Sequence, residues 1–383
     1  MTTPLKNSPT PELKQPEFQA LVQEKLRQAV RYTLVTILNA EVEELVQAAP
    51  YQRTTQRRDY RNGSYQRDLL TGVGLIPDLE VPRTRNGFHS QLFAQYQRRQ
   101  AELDQAMAQM FVGGVSTKQV GSVMKGLTGV EPSPSTVSRV HHQLESEFEG
   151  WKKRPLAAKY VYAFADGTYF TIIYEGEGCK MPILAVVGIT EEGERQVLAF
   201  SVGERENQNA WEELLDDLKR RGVQEIGLWI TDGNQAMLNA IGLKFPTSQR
   251  QRCVQHKMKN ILGYLPESQQ AQVEPELKAI FYQENREKAD QEVAAFCEKY
   301  AQSYPTAIDC LKRDLEACLT FYAFPKNHWK TIRTTNVIER LFGEVKKRTH
   351  KMAAPFRNEE SCLLMFYAII RSLKFRKFSM KPK

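Results

Sequence analysis

The spacing of apolar residues divides the chain into a helical first part and a strand-rich middle part. From Phe18 to Ala49 apolar residues recur every three or four positions, which predicts an amphipathic helix. The segment Ala101 to Phe148 reads as a run of helices. Ser116 is a suitable N-cap for a helix that runs to about Leu127, and Pro134 suits the first turn of the next helix.

The segment from Tyr160 to Ile230 has the most regular pattern, with apolar, β-branched runs that predict strands. A helix is predicted from Asn209 to about Arg221. The predicted strands are 161–165, 169–174, 183–189, 196–202 and 225–231. Three antiparallel strands, a helix and a further strand form the front half of a ribonuclease H-like fold, so we expect an α/β protein.

Further along, Ala271 to Cys318 is rich in Glu, Gln, Lys and Ala at helical spacing, which predicts an α-helical insertion ahead of the final helix. The first 16 residues are polar and contain four prolines, which is typical of a disordered tail. The predicted domains are a tail (1–16), a mainly helical N-terminal region (17–150), a ribonuclease H-like α/β domain (157–245 and 326–375) and an α-helical insertion (246–325).

The net charge of +8 is distributed unevenly over the 383 residues. Residues 326–383 carry 15 Lys or Arg against 4 acidic residues, and residues 51–100 carry 9 Arg against 4. Residues 51–85 are aromatic as well as rich in Arg, with short β-like pieces at Gly72–Ile76 and Leu79–Val81. Arg83 and Arg85 could contact phosphates, and a plain surface hairpin is the alternative. Two basic segments around an acidic body favour a polyanion as partner, and two solvated surfaces are the alternative.

Composition also excludes several classes of protein. No apolar run approaches 18 residues, so a membrane span is excluded, and the polar N-terminus lacks the apolar core of a signal peptide. The six cysteines show no paired spacing, which favours a reduced, cytoplasmic protein. The sequence has no P-loop, so ATP is not expected.

Three carboxylates form the candidate chemistry. Asp166 and Asp232 each follow an apolar run and precede a glycine, which predicts exposed acids at the ends of two strands. Glu339 lies on a predicted helix within the basic C-terminal segment. Three acids on two strands and a helix suit two Mg²⁺ ions, for which Mn²⁺ can substitute, because hard cations take oxygen ligands and a metal pair stabilises both oxygens of a phosphoryl transfer.

The ordered motifs resemble those of the Mutator-type transposases, the bacterial insertion-sequence branch with catalytic Asp, Asp and Glu. The similarity covers roughly residues 50–375. The matching segments are Tyr60–Gly63, Val81–Arg85, Ser133–Ser138, Ala165–Gly167, Ile230–Gly233, Cys253–His256 and Arg333–Arg340.

This resemblance implies a DNA transposase with Asp166, Asp232 and Glu339 as its catalytic and metal-binding residues. It would cleave the ends of its own insertion sequence and join them to target DNA. Its partner is then double-stranded DNA, and we expect a homodimer or a larger assembly on DNA. The expected location is the nucleoid in the bacterial cytoplasm.

Basic residues near these motifs are the candidate DNA contacts. The helix that starts at Pro134 would present Thr136, Ser138, Arg139 and His142 on its polar face, as in a helix-turn-helix, with generic helical packing as the alternative. The candidate DNA-binding residues are Arg83, Arg85, Arg139, Arg340, Lys346 and Arg348.

Three further residues are candidates for supporting the site. Asn336, or Thr334 or Thr335 before it, is expected to cap the helix of Glu339 and fix the direction of that side chain. Cys253 and His256 could supply two ligands to zinc, but a closed site needs four, so we favour a role in packing or in shaping the site.

Two alternatives to an active transposase remain. One is a metal-dependent nuclease of the same fold, although a nuclease acting alone would not need the long N-terminal helical region. The other is an inactive, transposase-derived DNA-binding protein, against which the three intact acids argue.

Overall fold

A computed structural model of the chain describes residues 15–93, 97–112, 115–174, 176–203, 205–349, 356 and 358–380. The chain divides into two compact units, one of residues 1–111 with 115–143 and the other of residues 112–114 with 144–383. The first 14 residues of the predicted tail lie outside the described residues. Within the described residues, no helix is apolar enough over a sufficient length to cross a membrane.

The first unit combines helices with a β-hairpin. Two antiparallel strands of 11 residues each form the hairpin. Leu38 of the first helix packs on Leu69 of the first strand and Leu79 of the second. In chain order the elements are α1 (Gln15–Val46), β1 (Arg61–Thr71), β2 (Gly74–Thr84), α2 (Ala101–Val112), α3 (Thr117–Thr128) and α4 (Pro134–Lys153).

The two predicted helix starts in this part of the chain are confirmed. The side chain of Ser116 accepts the N–H of Gln119 in a capping box, and α4 begins at Pro134. The two short β-like pieces predicted here lie mostly within one longer strand, β2, and β1 was not predicted. Much of β1 is polar and exposed, so its sequence lacks the apolar–polar alternation that marks a strand. The strand is stabilised by its hydrogen-bonded pairing with β2.

The second unit is built on a five-stranded sheet in the order β5-β4-β3-β6-β7. Its first three strands in the chain are antiparallel neighbours, β6 runs parallel to β3, and β7 runs parallel to β6. The elements are β3 (Lys159–Tyr174), β4 (Glu177–Ile189), β5 (Arg195–Val202), α5 (Gln208–Arg220), β6 (Glu225–Thr231), α6 (Gln235–Lys244) and β7 (Gln249–Arg252). The expectation of a mixed α/β protein is therefore confirmed.

Two features of the sheet differ from expectation. The predicted strands 161–165 and 169–174 are one continuous strand, β3, because the antiparallel ladder with β4 runs without interruption from Tyr162 to Tyr174. The segment 246–325 was expected to be helical and outside the sheet, yet β7 lies within it. The sequence of β7, Gln-Arg-Gln-Arg, has no apolar pattern, and the strand forms by pairing with β6.

Helices follow β7 through the rest of the chain. They are α7 (Val254–Leu262), α8 (Glu267–Phe281), α9 (Arg286–Tyr300), α10 (Pro305–Arg313), α11 (Leu315–Leu319), a 3₁₀ helix (Thr320–Ala323), α12 (Trp329–Ile332), α13 (Asn336–Thr349) and α14 (Glu359–Ile370). The prediction of a mostly helical segment before the helix of Glu339 holds from Val254 onward.

Helices cover both faces of the sheet. On one face, Trp211 of α5 and Met237 of α6 belong to the same core as Trp229 of β6. On the other face, α13 packs on β3 and β4, and the ring of Phe366 in α14 lies 6.0 Å from that of Phe170 in β3. The apolar side of α13 is buried and includes Ile338, Leu341, Phe342 and Val345.

Candidate active site

Asp166 lies in the middle of β3, opposite Ala185 of β4, and its residue is only 8% exposed. The prediction of an exposed acid at a strand end was therefore wrong for this residue. Burial, together with the charges of Asp232 and Glu339, raises the pKa of Asp166 to about 7, against a hydrogen bond from the Gly167 N–H. This carboxylate lies in a negative environment that favours a cation.

Asp232 directly follows β6, as predicted. The parallel register pairs Phe164 of β3 with Ile230 of β6, and Asp166 and Asp232 are each two residues further along these neighbouring strands. The Oδ1 atom of Asp232 accepts the N–H of Asn234 at 2.8 Å. Because Asn234 in turn caps α6 through its own side chain, the turn that carries Asp232 is fixed at both ends.

The glycine after each aspartate leaves room for a charged side chain. A Cβ at Gly167 would lie 3.1 Å from the carboxylate of Glu206, and a Cβ at Gly233 would lie 2.7 Å from the guanidinium of Arg252. Gly233 also has φ +89°, in the left-handed region. The two Asp-Gly pairs therefore reflect close approach of other side chains to the backbone.

Glu339 lies in the first turn of α13, the helix that packs on β3. Its Oε1 atom accepts the hydroxyl of Thr335 at 2.6 Å and lies 3.9 Å from Nδ1 of His256. The charges of both Asp232 and Glu339 act on Asp166, so the three predicted acids lie in the same part of the protein.

Cys253 and His256 lie beside Glu339. A hydrogen bond with the Cys253 sulfur raises the pKa of His256 to about 9 although burial opposes it, and the charges of Asp166 and Glu339 act in the same direction. Burial would raise the pKa of Cys253, but hydrogen bonds from His256 and Thr335 lower it. The described geometry thus places a cationic imidazole at the edge of the acidic cluster.

Comparison with known proteins decides the family. The model of the family described as "Transposase, Mutator family" matches residues 2–377. The chain belongs to the Mutator family of transposases. These enzymes cleave DNA and transfer its strands, which agrees with the acidic cluster.

Relatives of this transposase are similar over nearly their whole length. It is 33% identical to the transposase for insertion sequence element ISRM5 of Rhizobium meliloti (strain 1021), over 90% of this chain and 86% of the relative. It is 31% identical to the transposase for insertion sequence element IS256 in transposon Tn4001 of Staphylococcus aureus, over 94% of each chain. The transposase for IS905 of Lactococcus lactis subsp. lactis (strain IL1403) is 30% identical, over 93% and 90%.

Sequence reasoning missed one acid of this transposase that lies against the site. The carboxylate of Glu206 packs on Gly167 and accepts the Nδ2–H of Asn234 at 3.1 Å. Burial raises the pKa of Glu206, and the charge of Asp232 adds to this. The sequence signal that could have identified Glu206 is its position directly before Asn207, which caps the helix that follows β5.

The pair Cys253 and His256 has a third potential metal ligand beside it, Glu339. The ligand atoms of Cys253, His256 and Glu339 lie within 4.8 Å of one another. The Cys253 sulfur, however, already accepts the backbone N–H of Thr335. This arrangement suits a hydrogen-bonded support for Glu339 better than a closed metal site.

The basic candidates fall into two groups in the chain. In the first unit, Arg83 is exposed and its guanidinium lies 4.7 Å from the ring centre of Tyr65, while Arg85 and Arg139 are exposed. In α13, Arg340 and Lys346 are exposed. The side chain of Arg348 lies outside the described residues. Asn336 is the first residue of α13, so Thr335 occupies the cap position.

Proposed function

We propose that this transposase mobilises an insertion sequence by cleaving the DNA at the ends of the element and joining those ends to target DNA. The chemistry would take place at Asp166, Asp232 and Glu339. The observation that supports this proposal is the parallel register of β3 and β6, in which Asp166 and Asp232 each follow the paired residues Phe164 and Ile230 by two positions, together with the charge of Glu339 that acts on Asp166 from α13.

Strand order supports a ribonuclease H-like catalytic domain. Three antiparallel strands form one side of the sheet, two parallel strands form the other, and helices cover both faces. We assign this domain to residues 157–245 and 326–375 with an insertion at 246–325, of which β7 belongs to the sheet and the part from Val254 is helical.

The donor set fits a pair of hard divalent cations. All three acids offer carboxylate oxygens, and Asp166 is a buried carboxylate beside two others, which a cation would neutralise. Asp166, Asp232 and Glu339 would hold two Mg²⁺ ions, for which Mn²⁺ could substitute. When bound, such a pair activates the attacking oxygen and stabilises the leaving oxygen of the phosphate.

Neighbouring residues hold the three acids in position for this chemistry. The ladder with β4 holds Asp166, the Asn234 N–H holds Asp232, and the Thr335 hydroxyl holds Glu339. Water would attack first to release a 3′-hydroxyl, which would then attack target DNA. No protein nucleophile is needed for either step.

Recognition of the element's ends is assigned to residues 17–150. The α3–α4 pair resembles a helix-turn-helix, with Arg139 exposed on the second helix. Arg83 and Arg85 of the hairpin, and Arg340, Lys346 and Arg348 of α13, would contact phosphates. We infer a homodimer or larger assembly on double-stranded DNA, acting on the bacterial nucleoid.

The test is cleavage of DNA that carries the element's terminal repeats, in Mg²⁺ or Mn²⁺. Asp166→Ala, Asp232→Ala and Glu339→Ala should each abolish cleavage while the protein stays folded. Glu344→Ala is the matched control, since Glu344 lies on the same helix and its exposed partner is Lys347. Near-normal cleavage by any of the three variants would remove that residue from the site.

Strand transfer separates this proposal from its two rivals. A pre-cleaved end with a free 3′-hydroxyl should be joined to plasmid DNA by the wild-type protein. A nuclease would cleave without joining, and an inactive derivative would bind the end and do neither.

A further inference from the structure

Cys253 occupies a central place between the two parts of the chain that carry Asp232 and Glu339. Its N–H donates to the carbonyl of Thr231, the residue before Asp232, at 2.7 Å. Its sulfur accepts the N–H of Thr335, the residue before α13, at 3.3 Å. Both Cys253 and Thr335 are completely buried, so these contacts are shielded from water.

A second backbone contact strengthens the same junction. The N–H of Val254 donates to the carbonyl of Arg333 at 2.9 Å. Two consecutive residues after β7 are therefore bonded to the segment that enters α13. This arrangement fixes the start of that helix relative to the end of β6.

Thr335 extends the junction to the carboxylate itself. Its hydroxyl donates to Oε1 of Glu339 at 2.6 Å, one helical turn further on. A hydroxyl has one proton and two lone pairs, so after donating to Glu339 it can accept from Nδ1 of His256, which lies 3.3 Å away. A hydrogen bond this short to a charged acceptor restricts the side-chain rotamer of Glu339.

We propose that Thr335 is a positioning residue of the catalytic centre, whose hydroxyl sets the Glu339 carboxylate for metal binding and whose N–H, held by Cys253, ties α13 to the strand that carries Asp232. This inference rests on the proposed two-metal site. It adds a pair of residues, Thr335 and Cys253, that would act on the metals only through Glu339.

The test compares Thr335→Val, which keeps the shape and the N–H but lacks the hydroxyl, with Thr335→Ser, which keeps the hydroxyl. Mn²⁺ affinity is measured by isothermal titration without DNA, and cleavage is measured as a function of Mg²⁺ concentration. Thr335→Val should weaken Mn²⁺ binding and raise the half-saturating Mg²⁺ concentration by ~10–100-fold, as expected when a group supporting a metal ligand is lost. Thr335→Ser should restore most of both, and DNA affinity should stay near wild type in each variant.

Wild-type metal dependence in a folded Thr335→Val would overturn the proposal, as would a Thr335→Ser variant equally impaired. If Thr335→Val does not fold, Cys253→Ala decides, because it leaves the hydroxyl in place but frees the start of α13. It should shift the Mg²⁺ requirement in the same direction, and an unchanged requirement would overturn the proposal. Glu339→Ala distinguishes failure of the catalytic assignment from failure of the positioning role. If Glu339→Ala still cleaves DNA, the catalytic assignment fails. If Glu339→Ala is inactive but Thr335→Val has normal metal dependence, only the positioning role is refuted.

Discussion

The guanidinium of Arg252 packs directly on the backbone of Gly233, the residue that follows Asp232. Its Nε and Cζ atoms lie 2.7 Å from where a Cβ of residue 233 would stand. Arg252 also pairs with Asp314, which in addition accepts Nζ of the buried Lys257 at 2.9 Å. The turn after the second aspartate therefore rests on an ion cluster that reaches into the helical segment after β7.

Gly233→Ala should lower the free energy of unfolding by about 2–4 kcal/mol, because alanine is strained at the left-handed φ and its Cβ must displace Arg252. Cleavage should fall as well, since the turn positions Asp232. Chemical denaturation of the full chain measures the first effect. Gly150→Ala in α4 is the control: its added Cβ meets no atom within 4 Å, so it should be neutral or stabilising by up to ~1 kcal/mol. Equal stability of the two variants would contradict this account of Gly233.

Removal of Asp314 should be among the most destabilising changes of a charged residue in this protein. Lys257 is only 1% exposed, so Asp314→Ala leaves a buried ammonium without its carboxylate, at a cost of about 3–5 kcal/mol. Denaturant unfolding measures the loss. Glu316→Ala is matched to it, because Glu316 is an exposed partner of Arg286 and should cost less than ~1 kcal/mol. The argument fails if both variants lose the same amount.

Local signals in the sequence predicted the local parts of this structure. Ser116 and Pro134 mark helix starts because capping depends on residues a few positions apart. The apolar runs before Asp166 and Asp232 identified two strands, and the fold expectation made them neighbours, as observed. Motif order, more than helix geometry, selected Glu339.

Relationships that form only through space were not predictable. β3 continues past Asp166 because β4 supplies a partner for each residue, which no local pattern encodes. β7 has a wholly polar sequence, yet the side chain of its Gln251 bonds the Cys318 carbonyl and the Phe321 N–H from inside the protein. Glu206 was missed because its role depends on which backbone and side chain it meets, whereas Thr335 was expected as a helix cap but not as the residue whose hydroxyl bonds Glu339.

Asp166→Asn should stabilise the metal-free protein at neutral and alkaline pH. The pKa of Asp166 is raised from 3.8 to about 7, so the folded state binds its proton more tightly than the unfolded state. Its contribution to the free energy of unfolding is therefore lost as pH rises from about 4 to about 7. At pH 8 the variant should gain roughly 1–3 kcal/mol over wild type in EDTA, with a smaller gain at pH 5.

Unfolding curves at both pH values, with and without Mg²⁺, check this prediction. Mg²⁺ should narrow the difference at pH 8, because bound cations would neutralise the wild-type carboxylate that the variant lacks. A gain of the same size at pH 5 and pH 8 would mean that the ionised carboxylate is not its source.

Arg139→Ala should weaken binding to terminal-repeat DNA while leaving the fold unchanged. Arg139 is exposed on α4, whose buried side includes Val137 and Val140, so the substitution removes charge without disturbing the core. In the full chain with Asp166→Asn, which binds without cutting, affinity should fall by ~10-fold or more, corresponding to ~1–3 kcal/mol for one DNA-contacting arginine. Electrophoretic shifts over a range of salt concentrations give both the affinity and its salt dependence.

The pattern of that loss identifies what Arg139 contacts. If it reads a base, binding to terminal DNA falls more than binding to unrelated DNA. If it holds a phosphate, both fall together and the slope of log affinity against log salt becomes shallower by about 1, because one fewer counterion is released. Arg220→Ala is the control, since Arg220 is also exposed but lies at the end of α5 in the second unit, and it should leave terminal binding unchanged. An Arg139→Ala variant that binds like Arg220→Ala would show that the α3–α4 pair serves packing rather than recognition.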